Sequence, residues 1–174
     1  MTAATTTSSN HNERNFQTIN RFYNAFSTLD AEMMATCYAD NVQFQDEVFS
    51  LSGKQDTVNM WRMLCAATVS NPEALKAWKL TFNDVKTAAN IGQAHWEATY
   101  LFSKTGRMVV NKIDAVFTFN ELGQIIIHRD SFNFWAWARQ ALGLPGLLLG
   151  WTPFMRSKVK TTAAQGLAKF VKKA

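Results

Sequence analysis

The sequence predicts an α+β fold, in which a cone-shaped curved antiparallel sheet carries N-terminal helices on its concave face. Two observations support this prediction. Apolar residues recur with helical spacing between Asn15 and Val69, around one short strand, and they alternate with polar residues along four longer runs between Trp78 and Phe134. Tight-turn residues join these runs and favour antiparallel neighbours. Helices on one side of such a sheet leave a mouth in which a ligand can bind.

Three helices open the predicted domain. Apolar residues follow helical spacing from Asn15 to Leu29, Asp30 can cap a second helix, and a third runs from Gln55 to Val69. Tyr23 and Trp61 are candidates for contact with a ligand, because each has a large ring with a polar group. Aromatic residues in such stripes also serve as plain core residues, and both interpretations stay open.

Asp46 ends the short strand and shares one side of it with Val42 and Phe44. Burying a carboxylate among apolar residues costs free energy unless the carboxylate is paired. Burial also raises its pKa, which is how proteins make an acid/base group. Asp46 is therefore either a functional carboxylate or a structural one.

The last strand carries the main candidates, His128 and Asp130, on the same side as large apolar residues. Asp130 is either an acid/base group or a structural aspartate held by tyrosine, arginine or backbone donors. His128 could hold Asp130 ionised or relay a proton, or it could be a neutral histidine bonded to tyrosine or backbone. The inward sides of the strands add four candidates for ligand contact: Trp96, Tyr100, Phe117 and Phe132.

The chain divides into three parts. Residues 1–12 are rich in Thr, Ser and Asn and predict a disordered leader without the apolar core of a secretory signal. Residues 13–144 form the domain, and residues 145–174 hold an apolar segment and a basic helix. No apolar run approaches the roughly 20 residues that a spanning helix needs, so a cytoplasmic location is expected.

The net charge of +5 comes from the C-terminal end. Residues 151–174 hold 6 of the 18 basic residues and no acidic residue, which leaves 12 basic against 13 acidic residues elsewhere. This distribution argues against a nucleic-acid partner. The basic helix could lie on an anionic membrane surface, but the favoured interpretation is that Leu147–Phe154 folds back as a lid or brace. The apolar stripe of that helix consists of Val159, Ala163, Leu167 and Val171.

The sequence contains no Gly-rich phosphate loop, nucleophile elbow, Cys/His metal cluster or helix-borne zinc motif. Its two cysteines, Cys37 and Cys65, lie in helical apolar patterns and are predicted to be buried thiols. We therefore expect no metal and no cofactor, and a small hydrophobic ligand as the partner.

The element order, the segment Tyr38-Ala39-Asp40-Asn41 and the terminal hairpin together resemble the nuclear transport factor 2-like superfamily. Ketosteroid isomerases, SnoaL-like polyketide cyclases and limonene epoxide hydrolases share its cone, which is also cystatin-like. The resemblance covers roughly Asn15 to Leu144. It implies the fold, whereas the activity has to be argued from the site, because this fold hosts unrelated enzymes and binding modules.

Alignment with the isomerase pattern places Asp46 where that family has its general base. The tyrosine and the protonated aspartic acid that donate hydrogen bonds in that family fall on Phe22 and Ala115. The resemblance therefore does not imply steroid isomerisation.

The epoxide hydrolases and the cyclases both match at Asp130. The Arg and Asp that complete the hydrolase triad fall on Trp96 and Ala98, so that triad is incomplete here. The cyclases need only a single acid/base aspartate, which is followed by a helix with Gln-x-Leu-Gly. Here Gln140-Ala141-Leu142-Gly143 stands in that place, which makes the cyclase group the best match of the three.

We therefore expect a SnoaL-like pocket protein that acts as a cofactor-independent isomerase, cyclase or hydrolase. It would use aspartate acid/base chemistry on a small hydrophobic carbonyl or ring compound. The alternative is a non-catalytic domain that binds a hydrophobic ligand or another protein. A homodimer through the outer sheet face is also expected, because Val116, Ile125 and Ile127 would otherwise expose an apolar patch.

Overall fold

The computed structural model of the protein describes residues 3–173, with side chains from residue 10 onward. Its elements follow the order α1 (Ala3–Ser27), α2 (Ala31–Ala35), β1 (Tyr38–Gln45), β2 (Ser50–Ser52), α3 (Lys54–Val69), α4 (Pro72–Ala77), β3 (Lys79–Ala88), β4 (Ile91–Phe102), β5 (Arg107–Phe119), β6 (Ile125–Phe132), α5 (Phe134–Leu142), α6 (Leu144–Leu149) and α7 (Pro153–Val171).

The six strands form one curved, unclosed sheet in the order β2-β1-β6-β5-β4-β3. The α+β cone is confirmed, but the sheet is mixed rather than antiparallel, because β1 runs parallel to β6 with Phe44 beside His128. No tight turn joins these two strands. Helices α3 and α4 and four other strands lie between them in sequence, so the chain has room to cross over.

Helix α1 packs its buried residues Ile19, Phe22, Tyr23 and Phe26 against the sheet. It begins at Ala3, so residues 3–12 are helical where the sequence analysis predicts a disordered leader, whereas Met1 and Thr2 lie outside the described residues. The Thr87 hydroxyl of β3 donates to the carbonyl of Asn12 at 3.0 Å. This contact holds that part of α1 on the sheet.

A register shift between β5 and β6 changes which residues face the core. Phe119 pairs with Ile125 and Thr118 with Ile127, so Ile126 is an extra residue in the ladder. Ile125 is consequently buried inside, and its predicted place on the outer face is wrong. Val116 remains exposed there. The homodimer through this face stays a prediction.

Helix α5 takes the place of a strand beside the first half of β5, because β6 ends opposite Ile113. The Gln140 side chain accepts a hydrogen bond from the Val110 amide at 2.9 Å and donates one to the Val110 carbonyl at 3.1 Å. A glutamine amide has the same donor and acceptor as a peptide group. Gln140 therefore acts as the backbone partner of β5 and fixes α5 at the wide end of the cone.

After α5 the chain forms α6 and then α7, which packs against α3.

Both cysteines are buried free thiols, as predicted. Within the described part of the chain, none of the helices combines the length and the hydrophobicity that crossing a bilayer would require.

Candidate functional site

A cavity of about 1030 Å³ lies between α3, the inner face of the sheet, α5 and α7. Its walls are mainly apolar and aromatic, and a few polar side chains point into it from the sheet. Those polar residues are Asp46, Tyr100, Asn111 and Asp130. A large apolar cavity with a small number of convergent polar groups is the usual form of a small-molecule site.

Strand alternation places Asp130 and His128 on the inner face of the sheet, as predicted. Asp130 pairs with Ala115 of β5 and His128 with Phe117. Asp130 is buried and lines the cavity, whereas His128 is fully buried one layer beneath it. Phe44 and Phe117 pack against the His128 ring, with ring centroids 5.1 and 4.5 Å away.

A chain of hydrogen bonds runs from α3 to Asp130. Trp61 Nε1 donates to the Tyr38 hydroxyl oxygen at 3.0 Å, and the Tyr38 hydroxyl lies 2.7 Å from His128 Nδ1. His128 Nε2 lies 3.1 Å from Asp130 Oδ1. A carboxylate can only accept, so the imidazole proton is assigned to Nε2, which faces Asp130. Nδ1 then accepts from the Tyr38 hydroxyl.

The two oxygens of Asp130 have different surroundings. Oδ1 accepts from His128 and, at 3.4 Å, from Trp96 Nε1. Among the described residues, no hydrogen bond engages Oδ2. The carboxylate is thus held by one oxygen and can offer the other to a molecule in the cavity.

Asp46 is a second carboxylate on the cavity wall, at the end of β1. Its Oδ1 accepts from the Val48 amide at 2.6 Å and from the Phe49 amide. Burial nevertheless raises the pKa of Asp46 from 3.8 to about 6, with a further contribution from the charge of Asp130, while the two amide donors lower it. A carboxyl group with a pKa near 6 can both give and take a proton near neutral pH.

Tyr100 lies on β4 and also faces the cavity. Its oxygen accepts from Trp137 Nε1 of α5 at 2.9 Å, and its hydroxyl proton has no acceptor among the described residues. Burial raises the pKa of Tyr100 to about 12, and the negative charge of Asp46 adds to this shift. Tyr100 therefore stays protonated and can donate to a ligand oxygen.

The structure separates the predicted site residues into two layers. Trp61, Trp96 and Phe132 line the cavity together with Asp46, Asp130 and Tyr100. Three others are fully buried beneath the wall: Tyr23, Phe117 and His128. Tyr23 stacks on Phe82, and its hydroxyl has no hydrogen-bond partner among the described residues. Burial raises the pKa of Tyr23 well above the usual value.

Sequence reasoning missed three residues of the site: Tyr38, Asn111 and Trp137. Asn111 shares its side of β5 with Ile113 and Ala115, so alternation could have identified it. Tyr38 and Trp137 act through contacts with residues far away in sequence, which no local pattern shows. Among the described residues, no cluster of His, Cys, Asp and Glu could hold a metal ion.

Helix α7 forms the outer wall of the cavity. Val159, Ala163 and Phe170 face inward, and Lys158 and Lys169 stand at the rim. The C-terminal part does cover the domain. The covering element is helix α7 and not Leu147–Phe154, the segment that was expected to fold back as a lid or brace. In that segment the large apolar side chains are exposed.

Comparison with known proteins agrees with this architecture. The sequence profile of the SnoaL-like domain family matches residues 19–128. A search of curated proteins found no match. The matched part contains the last part of α1, helices α2 to α4, strands β1 to β5 and the beginning of β6, and it stops at His128.

Several solved structures share the fold. A candidate SnoaL-like polyketide cyclase from Jannaschia sp. CCS1 has a TM-score of 0.63 at 12% identity, covering 77% of this chain and 95% of that one. An LEH-like epoxide hydrolase from M. tuberculosis has a TM-score of 0.57 at 15% identity, covering 79% and 97%. A candidate isomerase from Bacillus subtilis has a TM-score of 0.58 at 17% identity, covering 75% and 94%. At these identities the likeness shows the fold alone.

Proposed function

The chain belongs to the SnoaL-like domain family within the nuclear transport factor 2-like superfamily, and from this premise we propose that it is a cofactor-independent acid/base enzyme. Its substrate would be a small hydrophobic carbonyl or ring compound, and its reaction an isomerisation, cyclisation or hydrolysis. The observation that carries the proposal is Asp130, which lines an apolar cavity. His128 holds one of its oxygens, and the other has no hydrogen bond within the described part of the chain.

Asp130 is assigned the role of general base. Its free Oδ2 can remove a proton from a carbon next to a carbonyl group, and the electron pair of the broken C–H bond moves to the carbonyl oxygen. A positioned base of this kind typically accelerates a reaction by about 10² to 10⁴. A substrate that fills the apolar cavity would displace water from the carboxylate, which favours the step.

Tyr100 is assigned the role of stabilising the negative charge that develops on the substrate oxygen. Its hydroxyl is oriented by the Trp137 N–H and has a proton to donate. Asp46 is assigned the role of general acid, because its pKa of about 6 allows it to donate a proton to a second atom of the substrate. These three groups face one cavity, so one bound molecule can contact all of them.

His128 is assigned a positioning role rather than a catalytic one. It is fully buried beneath the cavity wall and reaches a substrate only through Asp130. Its N–H fixes the orientation of the carboxylate, in the way that a second group orients the base of other acid/base sites. Trp61 and Tyr38 fix the histidine in turn.

A second candidate function is binding of a hydrophobic ligand without chemistry. The observation that favours it is the cavity wall itself, where Trp96 and Ala98 stand in place of the charged pair of the epoxide hydrolases. Phe22 and Ala115, at the positions of the isomerase donors, are buried apolar residues. Such a cavity offers an apolar molecule a large contact area and only a few polar contacts.

The test is a panel of cyclic ketones, lactones and epoxides offered to the purified protein and to the Asp130→Asn variant. We expect turnover of at least one compound class and a loss of about 10² to 10⁴ in kcat for the variant. The matched control is Asp114→Asn, which removes an exposed carboxylate on the outer face of the same sheet. Saturable binding that Asp130→Asn leaves unchanged, without turnover, would instead support the binding function.

A further inference from the structure

The segment Leu144–Phe154, which we call the elbow, comprises α6 and the start of α7. It exposes more large apolar surface than any other segment of comparable length in the described chain. Six of its 11 residues are large, apolar and exposed: Leu144, Leu147, Leu148, Leu149, Trp151 and Phe154. Trp151 is 70% exposed and Leu148 is 66% exposed, so these side chains are not folded onto the domain.

Two glycines explain why these side chains point outward. Gly146 and Gly150, four residues apart, bring one side of α6 into contact with α5. A Cβ atom at Gly146 would lie 1.9 Å from the carbonyl oxygen of Ala138. Because the glycine side packs against the domain, the opposite side of α6 faces solvent, and that side carries Leu144 and Leu148.

The indole of Trp151 also fits an interfacial position. Its N–H donates to the Leu148 carbonyl at 3.1 Å, so this polar group is already satisfied within the elbow. The ring can therefore enter an apolar phase without leaving an unpaired donor. Tryptophan is enriched where membranes meet water.

Along the chain the charge around the elbow has a single sign, and across the fold Glu47 pairs with Arg156. From Ser131 to Ala174 the sequence has seven basic residues and no acidic residue. The basic residues are Arg139, Arg156, Lys158, Lys160, Lys169, Lys172 and Lys173. An exposed apolar surface inside a basic region is complementary to an anionic, apolar partner.

We propose that the elbow docks the protein on the surface of an anionic lipid bilayer. Leu144, Leu148, Trp151 and Phe154 enter the interface between headgroups and acyl chains, and the basic residues bind the headgroups. This surface differs from the one that the sequence suggested. Val159, Ala163 and Leu167 face the domain and are not available to lipid, so three of the four residues of the predicted stripe are already covered.

A second copy of this chain fits the elbow less well than a bilayer does. In a two-fold symmetric dimer the same surface patch meets itself. The basic regions around both elbows would then come together, and of the seven basic residues only Arg156 has an acidic partner, Glu47, among the described residues. An anionic bilayer instead offers the opposite charge.

Docking by the elbow would place the cavity next to the lipid. The same helix α7 that begins in the elbow forms the outer wall of the cavity through Val159, Ala163 and Phe170. A hydrophobic molecule dissolved in the bilayer would then have a short path into the site. This inference does not depend on whether the site performs chemistry.

Flotation of the full-length protein with vesicles tests the proposal. One set of vesicles contains phosphatidylcholine alone, and the other contains phosphatidylcholine and phosphatidylserine in equal amounts. We expect the protein to float with the anionic vesicles and not with the neutral ones. Added salt should weaken the binding, because it screens the attraction between the basic residues and the headgroups.

The variant Leu148→Ser/Trp151→Ser should reduce the bound fraction at least about tenfold, because it removes two large apolar side chains from the interface. The matched control is Leu122→Ser, in the turn before β6, where the leucine is 72% exposed. This control should bind like the unchanged protein.

Three results would overturn the proposal: no flotation with anionic vesicles, equal flotation with neutral ones, or full binding by the double variant. Light scattering measures the mass of the protein in solution and therefore tests whether the elbow instead mediates self-association. A dimer that the double variant converts to monomer would make the elbow an interface between copies and would likewise overturn the proposal.

Discussion

Two histidine–aspartate pairs lie on opposite faces of the same sheet, and their comparison shows what burial contributes. On the inner face, His128 Nε2 lies 3.1 Å from Asp130 Oδ1, and the Asp130 side chain is 4% exposed. On the outer face, His95 Nδ1 lies 2.7 Å from Asp114 Oδ1, and the Asp114 side chain is 80% exposed. The outer pair is the closer one, yet water screens it, whereas the inner pair is buried and only Asp130 reaches the cavity. Distance alone therefore does not identify a functional pair.

Removing each histidine gives the largest expected difference between the two pairs. His128→Ala leaves Tyr38 and Asp130 without their partner and opens a hole beside Phe117, so the free energy of unfolding should fall by about 3–5 kcal/mol. His95→Ala should cost less than about 1 kcal/mol, because the exposed pair is screened. Urea unfolding of both variants measures the difference. Equal losses would show that burial does not distinguish the pairs.

Asp46 sharpens the comparison because this partly buried carboxylate has no hydrogen bond to a histidine among the described residues. Its pKa of about 6 in the folded chain lies above the 3.8 of an ordinary aspartate. The folded protein therefore holds a proton that the unfolded chain releases between about pH 4 and about pH 6. Over this window the stability should fall by about 2–3 kcal/mol as the pH rises, and it should stay level above it.

Urea unfolding of Asp46→Asn alongside the unchanged protein, at several pH values, isolates this effect. The asparagine oxygen can still accept from the amides of Val48 and Phe49, so the local turn is retained. The stability of the variant relative to the unchanged protein should increase from pH 4 to pH 6. A constant difference across these pH values would mean that Asp46 titrates normally.

Tyr38 tests whether the inner pair depends on its support. Tyr38→Phe leaves the Trp61 N–H and His128 Nδ1 unpaired in the core, which should lower the free energy of unfolding by about 1–3 kcal/mol. Tyr100→Phe is the matched control. It frees the Trp137 N–H at the cavity wall, where water can replace the lost acceptor, and should cost less than about 1 kcal/mol. If Tyr38→Phe costs no more than this control, the chain from Trp61 to Asp130 does not hold the site.

The outer pair should give the smallest effect, and NMR titration of His95 measures it. The hydrogen bond that His95 donates to Asp114 raises the pKa of His95, and Glu97 contributes further. Asp114→Asn should therefore lower that pKa toward the usual value. The associated stability is below about 1 kcal/mol. It is present in full below the unfolded pKa of about 6.5 and is lost as the pH rises through the folded pKa.

Alternation along a strand was enough to predict the inner pair. It placed His128 and Asp130 on the core side of β6, because the side of a residue depends only on whether its position is odd or even. The same rule failed at Ile125, where the extra residue Ile126 shifts the count. A bulge depends on the partner strand, so one strand's sequence does not reveal it.

The support of the site could not be predicted in the same way. No local pattern marks Tyr38, which begins β1. Its bond to His128 joins residues 90 positions apart. The outward direction of Leu148 likewise depends on Gly146 packing against α5, which requires both helices to be in place.

The contact between Gln140 and Val110 also governs how the sheet meets other molecules. The first half of β5 extends beyond the end of β6 and would otherwise present free amide and carbonyl groups along an edge. Exposed edges of this kind recruit strands from neighbouring chains and lead to aggregation. By occupying both groups of Val110 with one side chain, Gln140 blocks strand addition at this point. The glutamine thus protects the molecule against edge-to-edge association while it holds α5 in place.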